Sequence, residues 1–264
     1  MQFRRVDDIV LYARQDGDLN ATPIVFVNAL GTDMRLWSRL CRYLSERLRL
    51  VRYDQRGHGL SGLGTPPYDV TLFGHDLAGL LDQLDTGPAI ICGVSLGGMV
   101  AISLAERRPD LVRGLVLMDT AAKIGTAEIW QARRDAVLQG GIEAIADAVM
   151  ERWFPAAFRT READEIEGWR TMLTRTPKLG YLGAMTAVAD ADLTAAAARL
   201  HVPSLCLAGE HDGSTPPAEV AALAATIPNA DFSLIHDAGH LPCIDQPAAV
   251  AAAILAFAEA NGWA

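Results

Sequence analysis

The stretch that most constrains this chain is Ala89-Ile90-Ile91-Cys92-Gly93-Val94-Ser95-Leu96-Gly97-Gly98, an apolar strand-like run that breaks into Gly-x-Ser-x-Gly and continues as an Ala/Ile/Leu-rich helical segment. A chain that turns from a buried strand into a helix within so few residues must bring two backbones close together. Gly93 and Gly97 stand where a Cβ would obstruct that approach. Such a turn presents the Ser95 hydroxyl and aims the first amides of the following helix at any oxygen gaining charge beside it. Gly-x-Ser-x-Gly alone arises by chance in many glycine-containing loops, so its meaning depends on whether partners for the serine exist.

Activating a serine requires a base within hydrogen-bond reach and an acid that fixes the base's tautomer, following the serine in the order acid, then histidine. The last third of the chain supplies both. The strand-like Ser204-Leu205-Cys206-Leu207-Ala208 ends in Gly209-Glu210-His211-Asp212-Gly213, which makes Asp212 the candidate carboxylate. The next strand-like run, Asp231–Ile235, leads into His236-Asp237-Ala238-Gly239-His240, which makes His240 the candidate base. Glu210 is an alternative acid, and His211 or His236 an alternative base. His58, His75 and His201 read as ordinary side chains.

An oxyanion developing beside Ser95 needs two amide donors. The buried run Ile24-Val25-Phe26-Val27 and the loop Asn28-Ala29-Leu30-Gly31-Thr32 that follows it offer the Leu30 amide, and the elbow offers the amide of Leu96. Asp54 and Arg56, in Tyr53-Asp54-Gln55-Arg56-Gly57-His58-Gly59, read as structural ties between loops.

Helix-period stretches near 34–46, 72–84, 96–107 and 246–260 alternate with these strands, the pattern of a mostly parallel sheet covered on both faces. About eighty residues between Asp119 and Ser204 carry helical patterning and no strand, too long an interval for a loop. The expectation is an α/β core over residues 1–120 and 199–264 and an inserted helical cap over 121–198. Its aromatic residues are mostly cap core, but Trp130, Arg133, Arg134 and Trp153 are candidate substrate contacts, and Arg152 is a further cation in the same segment.

The formal net charge of −9, without a dense Lys/Arg stripe, argues against a nucleic-acid partner. Cys41, Cys92, Cys206 and Cys243 form no Cys-x-x-Cys pair and read as buried thiols of a reducing compartment. The N-terminus lacks a signal-peptide core, and the Ala-rich stretch near 248–258 is too short to span a bilayer. A cytoplasmic protein without a membrane partner is expected, with homo-oligomerisation left open. No metal-ligand spacing is visible.

With these groups in place the chain resembles the α/β-hydrolase superfamily over essentially its whole length, and more narrowly the 3-oxoadipate enol-lactonases. The narrower resemblance is carried by Asn28-Ala29-Leu30-Gly31-Thr32, Arg52-Tyr53-Asp54, Arg56-Gly57-His58-Gly59, Asp119-Thr120-Ala121-Ala122-Lys123-Ile124-Gly125, Glu151-Arg152-Trp153-Phe154, Thr176-Pro177 with Gly180-Tyr181, and Ala189-Asp190-Ala191-Asp192-Leu193. The elbow and loop motifs are widely shared, whereas Ala-Ala-Lys-Ile-Gly and Glu-Arg-Trp-Phe are more specific. Val94 and Leu96 depart from the Leu and Met often found in the family, and Gly239–Cys243 varies the histidine loop, yet neither change removes a catalytic group.

The resemblance implies a mostly parallel eight-stranded sheet flanked by helices, a lactone as small-molecule substrate, no cofactor and no metal. The implied activity is hydrolysis of 3-oxoadipate enol-lactone in aromatic-compound catabolism. Other readings are a related capped carboxylesterase, a carbon–carbon bond hydrolase, a cofactor-free perhydrolase, or a small-molecule receptor on a hydrolase scaffold.

Overall fold

A computed structural model describes residues 2–264. Among these residues eight strands form one sheet: β1 (Gln2–Val6), β2 (Ile9–Asp16), β3 (Pro23–Val27), β4 (Arg49–Tyr53), β5 (Ala89–Val94), β6 (Val112–Met118), β7 (Ser204–Gly209) and β8 (Ala230–Ile235). Their spatial order is β1-β2-β4-β3-β5-β6-β7-β8. Pairing from β4 through β8 is parallel, while β1 with β2 and β2 with β4 are antiparallel.

Every residue of β3, β5 and β7 is buried, which is why these strands read as continuous apolar runs instead of alternating ones. The hairpin of β1 and β2 is the part that apolar runs do not announce. Its first strand, Gln-Phe-Arg-Arg-Val, alternates half-buried and exposed residues at the sheet edge. Asp7, at φ 45°, turns the chain between the two strands.

Helices flank the sheet. Val70–Leu84 packs along Leu96–Arg107, and Ser38–Leu44 packs along Pro247–Ala260. Asp69 starts the first of these by accepting a hydrogen bond from Leu72 N–H. Among the described residues, no helix is long and apolar enough to cross a membrane.

Six helices lie between β6 and β7: Ala127–Gly140, Glu143–Trp153, Ala156–Arg161, Ala163–Thr174, Lys178–Asp190 and Thr194–Ala197. They meet the core with very little clearance. A Cβ on Gly180 would lie 2.2 Å from the Gly57 carbonyl oxygen, so the insertion and the 54–59 loop touch backbone to backbone.

The parallel strands share a direction, so their carboxyl ends emerge along one edge of the sheet. The loops after β3, β5, β6, β7 and β8 carry Leu30, Ser95, Asp119, Asp212 and His240 respectively. Open α/β sheets place their sites along this edge.

Candidate active site

Ser95 caps the helix Leu96–Arg107 at φ 56° and ψ −120°, a conformation that L-residues rarely adopt. Close packing enforces it. A Cβ on Gly93 would fall 2.2 Å from the Gly97 carbonyl oxygen, and one on Gly97 would fall 2.0 Å from that of Val27. Ser95 N–H donates to Met118 O at 3.0 Å, and Thr120 Oγ1 donates to Ser95 O at 2.7 Å, so the bend is fastened to the end of β6.

His240 is buried, and its Nδ1 lies 2.8 Å from Asp212 Oδ2. With Nδ1–H donating to the carboxylate, the Nε2 lone pair is left to accept a proton. Asp212 also accepts from Ser214 N–H and from the Thr215 hydroxyl, each at 2.7 Å. Burial opposes ionisation of Asp212, but its interaction with His240 and these donors outweigh it, and its carboxyl is held below the ordinary value.

The alternative residues lie elsewhere. Glu210, His211 and Asp237 are exposed and cluster at the surface, and Glu210 accepts from Asp237 N–H at 3.1 Å and lies 3.3 Å from His236 Nδ1. His75 pairs with Asp7 at the surface, and His201 is exposed.

Two further carboxyl groups surround the pair. Asp119 Oδ1 accepts Gly209 N–H at 2.7 Å, tying β6 to β7. Burial, together with the nearby Asp212 carboxylate, pushes Asp119 well above its ordinary pKa. Asp245 Oδ2 accepts Gly239 N–H at 2.7 Å, and burial pushes its pKa up to about 7. The histidine loop is pinned from the insertion as well, because His240 N–H donates to Trp153 O at 3.0 Å. Sequence reasoning did not single out Asp119, Asp245 or Thr215 as parts of the site. Their signal is position, since each lies a few residues past a strand end or beside a catalytic candidate.

Ser95 and His240 open on one cavity of about 470 Å³, lined also by Leu30, Trp130, Arg133, Arg152 and Trp153. Among the described residues neither Leu30 N–H nor Leu96 N–H meets an intramolecular acceptor, leaving both free for a ligand oxygen.

The cavity's cationic wall is unusual for so acidic a chain. The Arg133 guanidinium lies 5.4 Å from the Trp130 ring centre and 5.8 Å from that of Tyr181, and it donates to Tyr181 Oη at 2.7 Å. Its Nε is buried without a partner. Burial and the neighbouring Arg133 charge pull Arg152 below its ordinary pKa. Among the described residues neither arginine has a carboxylate within ion-pair distance.

Arg134 corrects the expectation made for it. One residue beyond Arg133, about 100° further round the helix, its Nη1 donates to Thr186 Oγ1 at 3.0 Å and it lines a separate depression. Arg152 takes its place on the wall.

The Alpha/beta hydrolase family model matches residues 24–253. The chain is 34% identical to 3-oxoadipate enol-lactonase 1 of Acinetobacter baylyi over 234 residues, covering 88% of this chain and 86% of that protein. It is 31% identical to that organism's 3-oxoadipate enol-lactonase 2 over 242 residues, with 92% and 90% covered. The crystal structure of the enol-lactonase from Burkholderia xenovorans LB400 superposes with a TM-score of 0.94 at 36% identity, covering 97% of this chain and 99% of the other. The chain therefore belongs to the α/β-hydrolase family, as its sheet and its serine elbow indicate. Within that family it is a hydrolase of ester or lactone bonds.

Proposed function

We propose that the protein hydrolyses 3-oxoadipate enol-lactone to 3-oxoadipate through an acyl-enzyme on Ser95, with His240 as base and Asp212 as its orienting acid. The observation that carries this reading is one cavity holding Ser95, His240 and two arginines without carboxylate partners. A neutral ester needs no such cations. A lactone bearing a carboxylate does, particularly in a chain of net charge −9.

In this reading Ser95 Oγ attacks the lactone carbonyl carbon as its proton passes to His240 Nε2. The carbonyl oxygen gains charge between Leu30 N–H and Leu96 N–H. The ring C–O bond then breaks, and the departing enolate takes the proton from His240 and tautomerises to the ketone. His240 next deprotonates a water that attacks the acyl carbon, the Ser95 C–O bond breaks, and Ser95 recovers its proton. Arg133 and Arg152 hold the remote carboxylate throughout, and the helical insertion over 121–198 acts as the cap that carries them. The reaction belongs to aromatic-compound catabolism.

The test compares the enol-lactone with its neutral methyl analogue on the wild type and on Arg133→Leu and Arg152→Leu. A charge-assisted contact contributes ~1.5–3 kcal/mol, so the wild type should favour the carboxylate substrate about ten- to a hundredfold in kcat/KM. The arginine variants should lose that preference mainly through KM. Equal kcat/KM for the two lactones on the wild type would sink the carboxylate anchor and favour a general esterase.

A further inference from the structure

His58 is a buried histidine whose two neighbours leave its ring a single protonation state. Nε2 lies 3.0 Å from the Gly31 amide nitrogen, which can only donate. Nδ1 lies 2.9 Å from the Arg56 carbonyl oxygen, which can only accept. The ring must therefore carry its proton on Nδ1 and a lone pair on Nε2. It is 1% exposed, and burial draws its pKa below the ordinary histidine value, which preserves the neutral form.

Its partner, Gly31, directly follows Leu30. The Leu30–Gly31 peptide is planar, so fixing the Gly31 N–H also fixes the opposed Leu30 carbonyl and limits rotation about Leu30. The loop is confined from the other side too. Gly31 has φ +79°, and a Cβ there would meet Leu173 Cδ1 at 2.6 Å and Tyr181 Cε2 at 2.9 Å. Thr32 N–H and its hydroxyl both donate to Ala29 O, at 3.2 and 2.8 Å. Asp54 Oδ1 accepts Met34 N–H at 2.8 Å and fixes the far end of the loop. The Thr32 bonds hold the Ala29–Leu30 peptide, which carries the Leu30 N–H, and the bond to His58 holds the next peptide, Leu30–Gly31, so Leu30 is fixed from both sides.

We infer that His58 is a positioning residue for catalysis: by accepting the Gly31 N–H it fixes the peptide that follows Leu30, and through the Leu30 backbone it helps hold the Leu30 N–H toward the cavity beside Ser95. This rests on the reading above in which Leu30 N–H receives the oxyanion. Losing an oxyanion donor outright costs about 10²–10³ in kcat, and a donor left misaligned costs part of that.

The experiment compares His58→Leu with His58→Gln, whose amide oxygen can accept from Gly31 N–H, using p-nitrophenyl acetate and the enol-lactone as substrates. His58→Leu should lower kcat about ten- to a hundredfold with KM within about threefold, and His58→Gln should recover most of the loss. A folded His58→Leu with wild-type kcat overturns the inference. Equal losses in both variants also overturn it, since the acceptor would then not be what matters. Independently of either variant, ¹⁵N NMR of the wild-type ring should show Nε2 unprotonated and Nδ1 protonated, and the reverse would overturn the assignment. If p-nitrophenyl acetate is turned over and the enol-lactone is not, the substrate reading falls alone and the His58 comparison stands. A wild type inert to both would overturn the two together.

Discussion

Ser95 holds φ 56°, a conformation costing a non-glycine residue roughly 1–3 kcal/mol and maintained here by the packing of Gly93, Gly97 and Val27. Two substitutions separate its chemistry from its strain. Ser95→Ala and Ser95→Gly should both lower kcat by about 10⁶. In urea unfolding the glycine variant should be the more stable by about 1 kcal/mol, because glycine accepts the positive φ that alanine resists. A second residue-scale expectation concerns Asp245, whose folded-state pKa of about 7 lies above that of an unfolded carboxyl. Between those two values the folded state binds the extra proton, so this group's contribution to stability falls as pH rises from about 4 to 7 and is level above that. Asp245→Asn, whose side-chain oxygen can still accept Gly239 N–H, should flatten the melting temperature against pH over that window. An unchanged slope would show that Asp245 ionises normally.

At the scale of elements, the contact between the insertion and the 54–59 loop has no room for even a methyl group. Gly180→Ala would place a Cβ 2.2 Å from the Gly57 carbonyl oxygen, and forced overpacking of this kind costs about 1–3 kcal/mol. In a chain of this size the melting temperature should drop by several degrees. A melting temperature within a degree of wild type would mean that the two backbones separate easily. The parallel strands were legible in the sequence because burial on both faces makes them uninterrupted apolar runs. The insertion was legible because its long interval carries helical periodicity and no strand. The edge strand Gln2–Val6 was not, since an exposed phenylalanine and half-buried polar residues at the sheet margin leave only a weak alternating signal. Side-chain direction was hidden as well. Composition marks Arg133, Arg134 and Arg152 alike, and only the helix phase sends Arg134 toward Thr186. His58 looked ordinary for a similar reason, because its partners are backbone groups that no spacing rule reveals.

For the molecule as a whole, Cys41, Cys92, Cys206 and Cys243 are all free and buried, and burial pushes their thiol pKa values up, to about 11 for Cys41 and about 12 for Cys206. A disulfide reagent should therefore titrate essentially no thiol in the native protein and four per chain in denaturant, and rapid labelling without denaturant would contradict the packing. The bond from His240 N–H to the Trp153 carbonyl has a wider consequence. Trp153 is at once a wall of the cavity and, through its backbone carbonyl, the brace of the proposed base, so a change there that shifts the backbone alters what enters and how well it reacts in a single step. Ala132, Ala136 and Ala148 line the same cavity with methyl groups that can make no hydrogen bond. Drift or deliberate selection toward smaller acyl groups has its free path through these alanines, where bulk can be added one methylene at a time while the catalytic loop keeps its support.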